Sequence, residues 1–338
     1  MKVVETPASF DIKDLRILER PDPGAPGAGQ ILVRMSAVAL NYRDVMVVQG
    51  HDRWLPPAGR IPVSDGVGVV QSVGTGVERV RAGQRVMTTI LPKWINGPLT
   101  EEKRQGGLGG PAADGVLAQL VLLDAEGVVS PPAYLSDAEA ATLPVAALTA
   151  WHALTRAGSL RSGANILIQG TGGVSLFALQ FAVAAGATVF VISSADDKLD
   201  RMRGVGAAGG VNYRTHPDWQ VEILRMTAGR GVDHVIDIGG ASSLAQSLAS
   251  VAFDGVISVV GLIGGSKTQI DVAELFQKNV TLHGIETGSR SMLEAMLAWM
   301  EGRRIRPIID RVFAFEDANA AFLRQHAGDR IGKVCISF

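Results

Sequence analysis

Residues 165–195 read NILIQGTGGVSLFALQFAVAAGATVFVISSA. The run from Asn165 to Gln169 is short and apolar, Gly170-Thr171-Gly172-Gly173 breaks it, and from Val174 the apolar residues extend over a length that suits a helix of about three turns. Gly186 stops that helix. Residues 187–192 are β-branched and aromatic enough for a buried parallel strand, so the order strand, glycine turn, helix, strand spells a βαβ unit. In such a unit, glycine lets the backbone come close to a pyrophosphate, whose charge is stabilised by N–H groups at the positive end of the helix. A glycine triplet alone is weak evidence for that chemistry; between a strand and a helix it is much stronger. The sixth position of the GxGxxG pattern is Ser175, where Gly or Ala is usual, and this predicts a helix set slightly farther from its strand. No charge lies between Gln169 and Ala195, yet the glycines divide the run into a helix and a strand, each too short to cross a bilayer.

Downstream the alternation continues. Helices are expected at 197–203, 218–227, 244–252 and 272–277, and strands at 210–213, in DHVIDIG (233–239), in VISVVG (256–261) and in VTLHGI (280–285). With the opening unit this makes six strands with helices between them, a doubly wound parallel sheet of α/β class. Upstream, to about residue 123, short strands alternate with Gly and Pro, the pattern of a compact, mostly β domain. A short helix is expected at 41–49. The long loop 92–115, rich in Gly and Pro, reads as a candidate lid. Ser136-Asp137-Ala138-Glu139 is a capping box that starts a helix, which Pro144 interrupts before a second segment at 145–156 closed by Gly158. An amphipathic helix at 291–301 and a β-rich tail with a short helix at 317–323 are expected to rejoin the first domain. The expected division is 1–128 with 289–338, and 129–288.

The chain's 338 residues suffice for two cores, and 47% hydrophobic with 19% charged residues is the composition of a globular enzyme. A formal net charge of -1 offers no electrostatic footprint for nucleic acid or an anionic membrane, which leaves a small-molecule substrate as the partner. Cys335 is the single cysteine, so no disulfide within the chain and no cysteine-based zinc cluster can form. The six histidines show no HExxH spacing. Nothing near the N-terminus has the apolar core of a signal peptide, and a cytoplasmic address is the expectation.

LNYRDVMVVQG, SDGVGVVQSVGTGV, AATLPVAALTAWHAL, IQGTGGVSLFALQFA and HGIETGSR occur in an order that resembles the medium-chain dehydrogenase/reductase superfamily along nearly the whole chain, most closely its zinc-independent, quinone-oxidoreductase-like branch. The resemblance implies a Rossmann domain joined to a GroES-like catalytic domain. In zinc-dependent members a cysteine ligand matches Asn41, a Gly-His-Glu run matches Val63-Ser64-Asp65, and a four-cysteine lobe falls in the 92–115 loop. This chain has none of those ligands, so no metal is expected. The resemblance puts Asn41 beside the nicotinamide ribose and substrate, with Tyr42 and Arg43 as candidates to polarise a carbonyl or donate a proton. It assigns cofactor contacts to Thr149, Gly170, Thr171, Gly172, Gly173, Val174, Tyr213, Gly239, Gly261, Ile285, Ser289 and Arg290.

The choice of cofactor is read about 20 residues past the glycines, where an NAD site usually carries Asp or Glu. Here stand Ser193 and Ser194, with Lys198 one helical turn on, a set of donors suited to the 2′-phosphate of NADPH. Asp196 and Asp197 are read as capping the next helix. The expected activity is metal-free hydride transfer from NADPH to an enone, enoyl group or quinone. A metal-free alcohol or aldehyde dehydrogenase is the first alternative, and a non-catalytic nucleotide-binding interaction protein the second. By resemblance, pairing of the last Rossmann strand with its twin implies a homodimer.

Overall fold

Asn165–Gln169, Gly173–Ala184 and Thr188–Ser193 form strand, helix and parallel strand in the computed structural model of the chain, which describes residues 1–338. Gly170 and Gly186 turn the chain at φ +72° and +82°, left-handed values that only glycine adopts without strain. The helix buries Leu176, Phe177, Leu179 and Phe181, which explains why this stretch carries no charge: it is interior to a protein. No helix of the chain is long and apolar enough to cross a membrane. Ser175 has its own use, since its buried hydroxyl donates to the Gln169 carbonyl at 2.7 Å and ties the helix to the end of its strand.

Contacts divide the chain into two units, Thr149–Glu286 and the pair Met1–Leu148 with Thr287–Phe338. In the first, six parallel strands run in the order Gly209–Asn212, Thr188–Ser193, Asn165–Gln169, Val232–Asp237, Val251–Val259, Thr281–Gly284. The strand order reverses between Asn165–Gln169 and Val232–Asp237, the switch point where such sheets bind ligands. Leu167, Phe190, Trp219, Ile223, Val235 and Ile257 form the core of this unit. The helix expected at 244–252 ends earlier, at Ser250, because Val251 already pairs with Val232; a register shift then sets His234 opposite Val256.

In the other unit, Gln30–Leu40 is the hub of a seven-stranded mixed sheet and pairs with Asp65–Val73, Leu120–Asp124 and Lys333–Ser337. The division falls at Leu148 instead of 128, because the helix Asp137–Ala141 packs on three strands of this sheet, Gln30–Leu40, Asp65–Val73 and Lys333–Ser337. The helix started by the capping box ends at Ala141, just ahead of Pro144, and the chain passes through one π-helical segment, Leu143–Ala147, into Leu148–Arg156. The 92–115 loop is pinned where a lid was expected. Trp94 packs with Ile90, Leu91 and Leu99, Lys103 donates to the carbonyls of Asn96 and Pro98, and the Leu108 and Gly115 amides bond Ile90 and Ile61.

His234 lies fully buried between two hydroxyls, with Nδ1 2.6 Å from Ser159 Oγ and Nε2 2.8 Å from Ser258 Oγ. Burial holds its imidazole neutral and pushes its pKa from 6.5 to about 3. The unfolded chain therefore binds this proton more readily. The stabilisation is complete above pH 6.5 and falls as pH drops towards 3, by up to roughly 1.4 kcal/mol per pH unit. Urea unfolding followed between pH 7 and 4 is expected to show a shallower pH slope in His234→Gln than in the parent, and equal slopes would contradict this reading.

Candidate functional site

Each unit contributes one arrangement with chemical consequences. In the Rossmann unit, Gly170, Ser193, Tyr213, Gly239, Gly261 and Ile285 all lie at or just beyond the carboxyl ends of the parallel strands. Four backbone bonds hold this edge, from Gly170 N to Ile192 O, Tyr213 N to Ser193 O, Val260 N to Asp237 O and Ile285 N to Val259 O. Underneath, Gln169 bridges the switch point. Its Oε1 accepts from the Ile238 and Gly239 amides, and its Nε2 donates to Asp237 at 3.0 Å and Ser247 at 2.9 Å. Asp237 in turn accepts from Ser243, Ser247 and the Gly240 amide. Gln169 and Asp237 were not among the expected site residues; a polar residue ending each of two otherwise apolar strands was the signal available.

The glycines at this edge are not equivalent. A Cβ on Gly261 would stand 2.5 Å from the Ile238 carbonyl and one on Gly239 2.4 Å from Ser243 Oγ, so close packing within the protein explains both. Gly172 is different. It has an ordinary φ of -77°, and a Cβ there would meet nothing within 4 Å. Packing gives no reason for a glycine at this point, whereas a ligand approaching the backbone does. Gly172 is also the N-cap of the helix Gly173–Ala184 and offers no side chain to the helix's first N–H groups, which remain suited to a pyrophosphate. These features fit a dinucleotide.

Thr171 and Thr149 are buried, and Val174 belongs to the first turn of the same helix. Past the second strand, Ser193 is buried, Ser194 half-buried, Lys198 buried on the helix Asp196–Val205, and Tyr213 exposed. Asp196 and Asp197 are not the cap; Ala195 is, and the Asp196 carboxylate accepts from Asn212 Nδ2 at 3.1 Å. Ser289 and Arg290 belong to the other unit and are engaged there. Ser289 caps the helix Arg290–Glu301 and Arg290 is bonded to Glu126.

In the other unit, Asn41 sits at the N-terminus of the helix Tyr42–Val48, and its backbone amide donates to Asp44 Oδ2 at 2.7 Å. Asn41 and Asp44 form a capping box at this helix start, and the Asn41 side chain also reaches two charged groups: Nδ2 donates to Asp65 Oδ2 at 2.9 Å and Oδ1 accepts from Lys333 Nζ at 2.7 Å. Asp65 also accepts from Ser64 Oγ and the Val145 amide, and Lys333 also donates to the Leu40 carbonyl. Burial raises the pKa of Asp65 and lowers that of Lys333, while each partner's charge pulls the other back. Burial also raises Asp44, to about 6. Tyr42, beside them, is 39% exposed. The Arg43 guanidinium donates to Leu108 O of the 92–115 loop at 2.9 Å and lies 3.9 Å from Asp44, the carboxylate that accepts from the Asn41 amide.

Two family profiles match the chain. One, described as zinc-binding dehydrogenase, covers 173–302, and one described as alcohol dehydrogenase GroES-like domain covers 27–133. A zinc-type alcohol dehydrogenase-like protein of Schizosaccharomyces pombe is 38% identical over 91% of this chain and 90% of its own length. A bovine (Bos taurus) quinone oxidoreductase-like protein 2 is 27% identical over 97% and 90%. A crystal structure of an NAD-dependent alcohol dehydrogenase superposes with a TM-score of 0.90 at 31% identity, covering 100% of both chains.

Those names raise the question of zinc. No group of three His, Cys, Asp or Glu side chains gathers anywhere in the chain. At the positions matched to zinc ligands stand an amide, a hydroxyl and a carboxylate already bonded by Ser64, Asn41 and Val145, with an ammonium 4.0 Å away. Zinc takes thiolate, imidazole or unencumbered carboxylate, so these residues do not fit it.

The two turn glycines make opposite predictions. Gly172→Ala is expected to keep the parent's stability within about 0.5 kcal/mol while weakening dinucleotide affinity tenfold or more. Gly170→Ala, forced to a positive φ, is expected to lose about 1–2 kcal/mol of stability. Thermal unfolding and cofactor titration by fluorescence check both; unaltered affinity in Gly172→Ala would remove the glycine's assigned purpose.

Proposed function

The chain belongs to the medium-chain dehydrogenase/reductase superfamily of oxidoreductases, and within it we propose a zinc-independent reductase that delivers hydride from NADPH to an alkene conjugated with a carbonyl, or to a quinone. The observation that carries this reading is the carboxamide of Asn41, held between Lys333 and Asp65 at the position matched to a zinc ligand. It offers a hydrogen-bond donor and no Lewis acid. NADPH, when bound at the Gly170-Thr171-Gly172-Gly173 turn, supplies the hydride. Addition at the β-carbon moves an electron pair onto the carbonyl oxygen, and the Asn41 Nδ2–H stabilises the developing enolate. Tyr42, exposed beside Asn41, is the candidate donor of the proton that completes the α-carbon. A simple alcohol lacks that conjugation, and the alkoxide that must form before it releases hydride carries more charge than one amide donor offsets. Relatives named alcohol dehydrogenases favour a second reading, in which the same chain interconverts an alcohol and an aldehyde.

NADPH is supported by the absence of an acid at Ser193-Ser194, by Lys198 one turn beyond, and by the engagement of Asp196 with Asn212. The name of the NAD-dependent relative weighs the other way. Steady-state rates with enones, enoyl thioesters, quinones and aldehydes, in protein assayed for metal, test the assignment. NADPH oxidation with the conjugated acceptors is expected, undiminished by chelator, and Lys198→Ala is expected to lower kcat/KM for NADPH about tenfold with little change for NADH. Stoichiometric zinc whose removal abolishes activity, or equal efficiency with both cofactors, would overturn the respective parts.

Assembly follows from the sheet's edge. The strand Thr281–Gly284 ends the sheet, and beside it the helix Val272–Gln277 leaves Val272 and Phe276 63% and 68% exposed. Edge strands invite pairing, and a two-fold axis lets this one pair with its own copy. Light scattering at micromolar concentration is expected to give twice the 35.5 kDa chain mass; a monomer would contradict it.

A further inference from the structure

Lys333 has no place in the reaction as so far described, yet it is 3% exposed and in direct contact with Asn41. The final strand Lys333–Ser337 runs antiparallel to Gln30–Leu40 with Val334 opposite Leu40, which delivers the lysine to the point where that strand gives way to the helix Tyr42–Val48. Burying an ammonium beside a carboxylate is costly, and an apolar pair of similar volume generally serves stability as well or better. The cluster therefore calls for another explanation.

The chemistry of the two neighbours supplies one. An ammonium only donates hydrogen bonds and a carboxylate only accepts them. A carboxamide between them can sit one way round, with Oδ1 to Lys333 and Nδ2 to Asp65; turned over, it would set its NH2 against the ammonium and its oxygen against the carboxylate. Asp65 takes one Nδ2–H of the amide, which leaves the other on a residue that is only half-buried. We infer that Lys333 is a positioning residue: with Asp65 it locks the Asn41 carboxamide so that the remaining Nδ2–H is presented to the substrate oxygen, and by donating to Oδ1 it strengthens that N–H as a donor. The Leu40 carbonyl, Ser64 hydroxyl and Val145 amide hold the two charged groups in turn. This inference rests on the proposed reduction of a conjugated carbonyl.

A double-mutant cycle tests it. Lys333→Met combined with Asp65→Asn removes both charges together and leaves neither buried alone, which protects folding. In an otherwise parental chain this pair is expected to lower kcat at least tenfold while KM for NADPH changes less than about threefold. In an Asn41→Ala background the same pair is expected to cost less than about twofold, because nothing remains to be positioned. Equal losses in both backgrounds would mean that Lys333 serves only structure. A second readout needs no substrate. The chain has six asparagines, so asparagine-selective 15N labelling, with Asn41→Ala for assignment, isolates the Asn41 amide. In the parent one Nδ2 proton is expected to exchange slowly with solvent and the other quickly, and in the charge-free pair both quickly. Unchanged exchange in the variant would overturn the lock whatever the activity. Should the parent reduce none of the acceptors, the reading of function falls, while amide exchange still decides the lock.

Discussion

A buried charge must be answered by specific partners, and in this protein the pair Lys333 and Asp65 imposes that demand on the GroES-like unit. Asp65 is fully buried and Lys333 nearly so, 4.0 Å apart. Every polar contact around them follows from the cost of leaving either unsatisfied: Ser64 and Val145 supply protons to the carboxylate, and Leu40 takes one from the ammonium. Three separate stretches of chain, around 40, 65 and 333, are thereby fixed to one another. Asn41 is where the arrangement meets an open face. Its amide closes the circuit between the two charges.

The Rossmann unit uses polar groups in the same way at its own critical point. Where the strand order reverses, Gln169 and Asp237 end adjacent strands and bond to each other, to two serines and to the amides of 238–240. This network makes the ends of the two strands rigid without using side chains on the ligand side. The turn beside it then needs only backbone, and Gly172 keeps the space open. The proposed hydride transfer asks for a cofactor held by backbone and dipole and for an acceptor held by a donor of fixed direction.

How much of this was legible in the residues depends on which force sets each feature. Asn165–Gln169 and Thr188–Ser193 are nearly continuous apolar runs, and with the other four strands read from their alternation with helices all six of the Rossmann sheet could be placed, whereas their order was not read. The division between units was misplaced because the helix Asp137–Ala141 reads the same whichever sheet it packs on. Arg43 was grouped with Asn41 by adjacency, and the fold sets its guanidinium between the Asp44 carboxylate and the loop that glycine content had marked as a lid. Lys333 was passed over because KVCISF reads as an apolar strand, and a lysine at its start looks solvated until the strand's partner is known. Ser175, an irregularity in the glycine pattern, proved to be a tie between helix and strand.

The central claim is that this chain moves hydride from a nicotinamide to a conjugated carbonyl with an amide donor in place of a metal. The most direct measurement uses NADPH deuterated at C4, a small enone and protein freed of metal by chelation, with the product examined by mass spectrometry and NMR. The account predicts one deuterium at the β-carbon of the saturated ketone and an undiminished rate. Product without label, or label transferred only after zinc is restored, would contradict it.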